Sequence, residues 1–294
     1  MFKKNRWNPN HRRRALLGLL ITASLGVQCQ QMTRRSAPSS EPISVERLYT
    51  AALVTDTTDE LEMLAKSDPL AFLDRCRENY FANFRDYVCT FTKQERIGQR
   101  VTSEQETLVK YRESPLSVNM RWVRNADAAA HVTYIEGRWP DKNGLDQAWC
   151  EPAGAIARLF IKKILQPIHG RYASKASRRT IDQFGFRSTL DLIIKYARRA
   201  DDAGILDLRY VGPGSVDGRS TYVFERRSPY TGQDEPYPER LLVFHIDREW
   251  LVPTACYAYG DDLGDDLLGR YVFSDVSFNK HFDDRDFGPE SLGL

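Results

Sequence analysis

Nucleophilic catalysis needs a hydroxyl or thiol held beside a base, and few stretches of this chain offer one. Ser215 follows Gly214 in "GPGSVDG". This is not the G-x-S-x-G turn that leads from strand to helix and exposes a catalytic serine. Its Gly, Pro, Ser and Asp read as a polar hairpin connection. Metal chemistry needs clustered ligands, but His131, His169, His245 and His281 are scattered, with no H-x-x-x-H or C-x-x-C spacing. The acids of "DDLGDD" (Asp261, Asp262, Asp265, Asp266) lack the alternating spacing of an EF-hand loop. They read as a solvated acidic turn, as does "HFDDRD" near the end. Carboxylates occur throughout, and one sequence does not show which of them converge. No catalytic residue, metal or cofactor is assigned, and the chain is expected to be non-enzymatic.

Thiols are the remaining reactive groups: Cys29, Cys76, Cys89, Cys150 and Cys256. Export would permit disulfides. With Cys29 removed or modified, four remain, with three connectivities open. Cys76 and Cys89 fall at a helix-to-strand corner, and Cys150 and Cys256 on strands. The expected pairs are Cys76–Cys89 and Cys150–Cys256, against the alternative of buried free thiols.

Export follows from the first residues. Lys3, Lys4, Arg6, Arg12, Arg13 and Arg14 precede an apolar run from Ala15 to Val27. A basic segment followed by about 13 apolar residues is the layout of a secretory signal. It is short of the about 20 residues that span a bilayer. Arg13-Arg14 also suits a twin-arginine signal. Residues 1–29 are read as the signal, 30–50 as a flexible tether rich in Ser, Pro and Arg, and 51–294 as a single domain. Cys29 is either a lipid attachment point or the residue just before cleavage. The neighbouring Leu25 and Gln28 fit a lipid-attachment box poorly. The first 28 residues carry six of the chain's 42 basic residues, leaving 36 against 40 acidic, a net of −4. A mildly acidic remainder argues against nucleic-acid binding.

The elements follow from periodicity. Residues 59–86 repeat apolar side chains at three- and four-residue steps, with a break at Pro69, and predict helix. The period then switches to two. In "YVCTFTKQER" Tyr87, Cys89 and Phe91 alternate with polar or smaller neighbours. In "LSVNMRW" Leu116, Val118, Met120 and Trp122 do the same. "QETLVKYRESP", "AHVTYIEG" and "LDQAWCEP" complete a first set of strands. "AGAIARLFIKKILQPI" and "RSTLDLIIKYARRADDAG" read as amphipathic helices, the second with Phe186, Leu190, Ile193 and Ala197 on one face. Five further strands follow, from "ILDLRYVG" to "GRYVFSDVSFN". Strands this closely spaced pair antiparallel, since parallel pairs need long crossovers. The fold class is α+β, a large antiparallel sheet with helices on one face.

"LVKYRESPLSVNMRWV" resembles the signature strand pair of a bacterial domain family of unknown function, marked by K-x-R-x-x-P-x-S-V. The resemblance extends to "DYVCTFTKQER", "YIEG" and the strand from Gly218-Arg219 to Glu225, over about residues 80–280. That family is itself similar to the LolA/LolB-like lipoprotein carriers of the bacterial envelope. "VKYRESP" looks like their V-K-R-P strand end. Asp247, Pro253, Gly264, Phe273, Asp275, Val276, Asn279 and Phe287 follow the order of their C-terminal motif. The resemblance implies a curved half-barrel that holds acyl chains beneath a helical lid. It implies that Arg112 binds ligand or tethers the lid. The alternation of the strands makes Phe91, Val118, Met120 and Trp122 the candidates for the apolar face. Here Glu113 and Ser114 intervene before the proline, and the helical insert, about 154–200, is longer than a carrier's.

The expected function is binding of a lipid or lipoprotein acyl chain in the periplasm or cell envelope, with membrane attachment through Cys29 if it is lipidated. An envelope-anchored scaffold with a filled core is the alternative, and a hydrolase of an envelope polymer the third reading. A large dry pocket would favour the first.

Overall fold

The computed structural model describes residues 60–154, 162–233 and 235–292. The expected signal 1–29 with Cys29, and the tether 30–50, lie outside the described residues. The helical periodicity broken at Pro69 resolves into α1 (Glu60–Ser67) and α2 (Pro69–Asn83). The Asp68 carboxylate caps α2 by accepting from the Ala71 amide at 2.9 Å. Pro69 takes the first turn, where its missing N–H costs nothing.

Among the described residues twelve strands then form one antiparallel sheet. They are β1 (Asp86–Ile97), β2 (Arg100–Val101), β3 (Gln105–Arg112), β4 (Ser117–Arg124), β5 (Ala129–Ile135), β6 (Gln147–Pro152), β7 (Ile164–Pro167), β8 (Asp207–Val216), β9 (Arg219–Arg227), β10 (Leu241–Asp247), β11 (Pro253–Tyr259) and β12 (Leu267–Phe278). The order is β7-β6-β5-β4-β3-β1-β12-β11-β10-β9-β8, with β2 a short hairpin partner of β1. The ends do not meet, so the sheet is a half-barrel. Between β7 and β8 come α3 (Arg171–Ala176), a 3-10 turn (Ile181–Gln183) and α4 (Phe186–Asp202). This is the α+β architecture the strand spacing implied.

Two local readings need correction. Ile164–Pro167, expected in a helix, is the edge strand β7, pairing Trp149 with Leu165 and Cys150 with Ile164. A short apolar run does not by its period separate helix from strand; here the unpaired edge of β6 decided. Residues 155–161 of that expected helix lie outside the described residues. In "VGPGSVDGRS" the residues through Val216 continue β8, with a bulge after Tyr210. The turn is Asp217-Gly218, both at positive φ (51° and 74°), the backbone a two-residue hairpin requires.

Alternation assigns the faces. Along β1, Tyr87, Cys89 and Phe91 point to the concave face, where α2 and α4 pack with Phe72, Leu73, Phe186 and Leu190 fully buried. A smaller cluster lies on the opposite face of β9–β11, around Val223, Leu241, Val243 and Ala255, and a third joins Tyr196 and Ala200 of α4 to Tyr237. β10 and β11 are consequently buried along their whole length. The C-terminal tail crosses the convex face of β3–β5. Thr133 Oγ1 donates to the Phe287 carbonyl at 2.7 Å and Asn119 Nδ2 to Ser291 Oγ at 2.7 Å. Among the described residues no helix is long and apolar enough to cross a membrane.

Candidate functional site

Between the concave face and the α3–α4 segment the side chains do not fill the space. A cavity of about 550 Å³ remains, and its wall is mainly apolar. Phe91, Met120 and Trp122, expected from alternation, line it. Val118 does not; it lies wholly buried in the packed core. The opposite wall comes from Phe184, Leu192 and Ile193 on and before α4. A cavity is left because the wall strands β5 and β6 present Ala129, Ala148 and Cys150 where larger residues would close it.

The roof is fixed at its start by aromatic packing. Phe184 meets Phe91 edge-on with ring centroids 5.0 Å apart, and Phe186 lies 4.7 Å from both Tyr87 and Phe273. Gly185 permits this close approach. Its φ is +110°, and a Cβ there would stand 2.7 Å from the Tyr111 ring.

Polar residues fasten the roof. Glu113, just past β3, accepts from Tyr80 Oη of α2 and Tyr111 Oη, each at 3.0 Å, and Arg187 Nε of α4 lies 2.8 Å from its other oxygen. Deeper in, Glu95 is 1% exposed. It receives Lys93 Nζ at 2.9 Å, Tyr271 Oη at 2.9 Å, Ser177 Oγ at 2.9 Å and the Arg178 amide at 3.2 Å. Burial works to raise the Glu95 pKa, but the Lys93 charge and the Tyr271 and Ser177 hydroxyls outweigh it and hold the carboxyl below its ordinary value. Arg226, the largest wholly buried side chain, donates to the Ile193 carbonyl at 2.9 Å and pairs with Glu239. Lys93 and Arg226 both line the cavity, and each already has its carboxylate.

Arg112 stands elsewhere. On β3 the inward positions are Gln105, Thr107, Val109 and Tyr111, so Arg112 points outward. It donates to Ser117 Oγ and Asp284 Oδ1, both at 2.8 Å, and stacks 5.1 Å from the centre of Phe287. Lys110, two positions earlier, pairs with Asp286 at 2.8 Å. The expected lid tether is therefore corrected: Arg112 clamps the C-terminal tail to the convex face, and the neighbouring Glu113 reaches the helices.

The expected disulfides are corrected as well: Cys76, Cys89, Cys150 and Cys256 are free thiols. Cys150 on β6 and Cys256 on β11 are separated by five strands of the sheet, although both line the cavity, whereas a disulfide needs Cα atoms within about 7 Å. Cys76 and Cys89 pack as small apolar side chains in the helix–sheet core. Burial pushes the Cys150 thiol up to about 11 and Cys256 to about 12.

The other chemical candidates stay apart from the cavity. Asp261 accepts from the amides of Gly264, Asp265 and Asp266 at 2.8, 3.1 and 3.1 Å, closing its own turn, and Arg240 engages Asp262. Ser215 is exposed on β8. Among the described residues no three His, Cys, Asp or Glu side chains converge as a metal site. His131 and His245 are buried against Asn119 and Thr221. Sequence reasoning missed Lys93, Glu95, Glu113 and Arg226. A signal existed for the first two: in "FTKQE" they occupy the same alternating face as Phe91, so charge was being placed among core residues.

The family described as "Protein of unknown function (DUF1571)" matches residues 84–292. Among solved structures the chain is similar to MucB, with 16% identity, 76% of this chain and 63% of that chain covered, and a TM-score of 0.42. It thus spans less than two thirds of MucB. It is similar to the Mycobacterium tuberculosis lipoprotein LppX at 15% identity, 74% and 99% coverage, and a TM-score of 0.41. The LolA superfamily protein of Nitrosomonas europaea matches at 10% identity, 77% and 99% coverage, and a TM-score of 0.22. No curated protein matches the sequence.

Proposed function

The chain belongs to the DUF1571 family, and from that premise we propose that it is a non-enzymatic binding protein of the cell envelope whose half-barrel holds an acyl chain of a lipid or lipoprotein. The observation that carries this reading is the cavity of about 550 Å³ beneath the helical roof. Its size lies within the range of about 300–1,000 Å³ typical of small-molecule sites. An apolar wall gains nothing from water, so an apolar occupant is favoured by roughly 25 cal/mol for each Å² removed from solvent. The charged groups deep in the wall are matched within the protein, Lys93 by Glu95 and Arg226 by Glu239. An ionic head buried beside those two pairs would find no free counter-charge, and stranding one there costs several kcal/mol or more, whereas Arg179, which also lines the cavity, has no carboxylate partner among the described residues. The occupant beside the two pairs is therefore the uncharged part of the ligand. A filled core would have supported the scaffold reading, and the space under α4 supports the binding reading instead. The basic N-terminal segment and its apolar run support export.

Native mass spectrometry of the purified protein, followed by solvent extraction, tests this. A bound lipid mass, or saturable uptake of a fluorescent fatty acyl ester, is expected. A clean apo mass with no uptake would sink the proposal.

A further inference from the structure

From Lys162 to Arg179 the chain carries six Lys and Arg residues and no Asp or Glu. Two of the six have structural duties. Lys163 donates to the Pro289 carbonyl at 3.4 Å and Arg178 to the Pro238 carbonyl at 3.0 Å. Lys162, Arg171, Lys175 and Arg179 have no carboxylate partner among the described residues; the first three are exposed and Arg179 is half-buried. Nearby acids are already engaged, Asp182 by His169 at 3.3 Å and Asp127 by Arg100 at 2.8 Å. On α3, Arg171 and Lys175 are one turn apart and share the solvent face, while Ala173 and Ala176 line the cavity. Tyr172 lines the cavity as well and is still 60% exposed, so the cavity reaches solvent beside α3. The Arg171 guanidinium lies 5.0 Å from the centre of the Tyr172 ring and donates to its hydroxyl at 3.1 Å.

We propose that this rim is a docking surface for an anionic lipid bilayer, which brings the opening of the cavity against the membrane. Charge complementarity chooses the occupant. Unpaired cations with an exposed tyrosine match a surface of lipid phosphates with apolar chains just below. Each Lys or Arg gains binding energy close to such a surface, and a Tyr ring suits the boundary between headgroups and chains. Position gives the docking a purpose: an acyl chain leaving the bilayer beside Tyr172 enters the cavity without crossing water. That purpose rests on the binding reading above, whereas the docking itself does not.

Vesicle flotation of the full chain tests it. Wild type is expected to float with vesicles of phosphatidylglycerol and phosphatidylcholine at least about tenfold better than with phosphatidylcholine alone. That preference should collapse as salt rises from about 50 to about 500 mM, where screening shortens the reach of exposed charges. The double variant Arg171→Glu/Lys175→Glu should lose the preference by about tenfold or more. Arg75→Glu, an exposed charge reversal on α2, should keep it. The double variant should also keep its uptake of a detergent-dispersed acyl ester, which separates a failure of docking from a failure of the cavity. Equal flotation on both vesicles, a double variant that floats like wild type, or binding to a soluble acidic polypeptide without flotation would overturn the proposal.

Discussion

Arg187 Nε lies 2.8 Å from Glu113 Oε1, so the first turn of α4 is held to the end of β3 by an ion pair whose acid is 11% exposed. The same carboxylate takes the hydroxyls of Tyr80 and Tyr111. One side chain thus joins both helices to the sheet. Removing it leaves a half-buried cation and two buried hydroxyls without their acceptor. Glu113→Ala should lower stability by about 2 kcal/mol or more in urea unfolding, and should raise amide exchange along α4.

Arg112 serves as the comparison. It faces Ser117, Asp284 and Phe287 on the convex side. Arg112→Leu should free the tail for proteolysis after about residue 283 while leaving acyl ester retention unchanged. A variant that lost ligand but kept its tail would return Arg112 to the roof.

Gly185 joins a φ of +110° to a contact of 2.7 Å between a built Cβ and the Tyr111 ring. Backbone strain and overpacking act together there, so Gly185→Ala should cost about 2–3 kcal/mol. The urea midpoint reports it, and a change of a few tenths would mean the roof is not seated this tightly.

Burial lowers the pKa of His131 to about 4, helped by the Arg121 and Lys110 charges, and burial alone lowers His245 to about 4. The unfolded chain binds protons near pH 6.5, where the native protein does not. Their contribution to stability is therefore complete above pH 6.5 and is lost as pH falls toward 4. Glu95, held below its ordinary value, loses its contribution at still lower pH. Unfolding free energy measured from pH 7.5 to 4.5 should fall steadily, and His131→Gln should flatten part of the slope. A level profile would show that neither imidazole is buried neutral.

The thiols should be silent in the folded state. Cys76, Cys89 and Cys256 are buried, and burial raises all four thiol pKa values, disfavouring the reactive thiolate. An aromatic disulfide reagent should modify Cys76, Cys89 and Cys256 only on unfolding, and non-reducing peptide mapping should find no Cys150–Cys256 link.

Cys150 also offers a way to close the cavity. Cys150→Phe adds a ring to the wall at a half-buried position. Acyl ester uptake should fall by about tenfold or more, with the far-ultraviolet spectrum unchanged.

Much of the architecture was legible from local pattern. Period-two alternation in "YVCTFTKQER" and "LSVNMRW" reflects the geometry of any strand, so it identified the strands and put Phe91, Met120 and Trp122 on one face without knowledge of the partners. The amphipathic face of α4 was equally local. The short run Ile164–Pro167 was not, because only the free edge of β6 made it a strand.

What the sequence determined by itself is what neighbouring residues determine: most of the strands, the amphipathic face of α4, the alternating faces of those strands and the charge of each segment. Tertiary structure alone decided which outward arginine met the tail, that Glu113 reached Arg187, that Ser177 closed on Glu95 across 82 residues, and that Cys150 and Cys256, five strands apart, line one cavity. The physical reason is curvature. Strand order and bend set which distant side chains converge and how much volume they leave, and those quantities depend on the whole sheet at once.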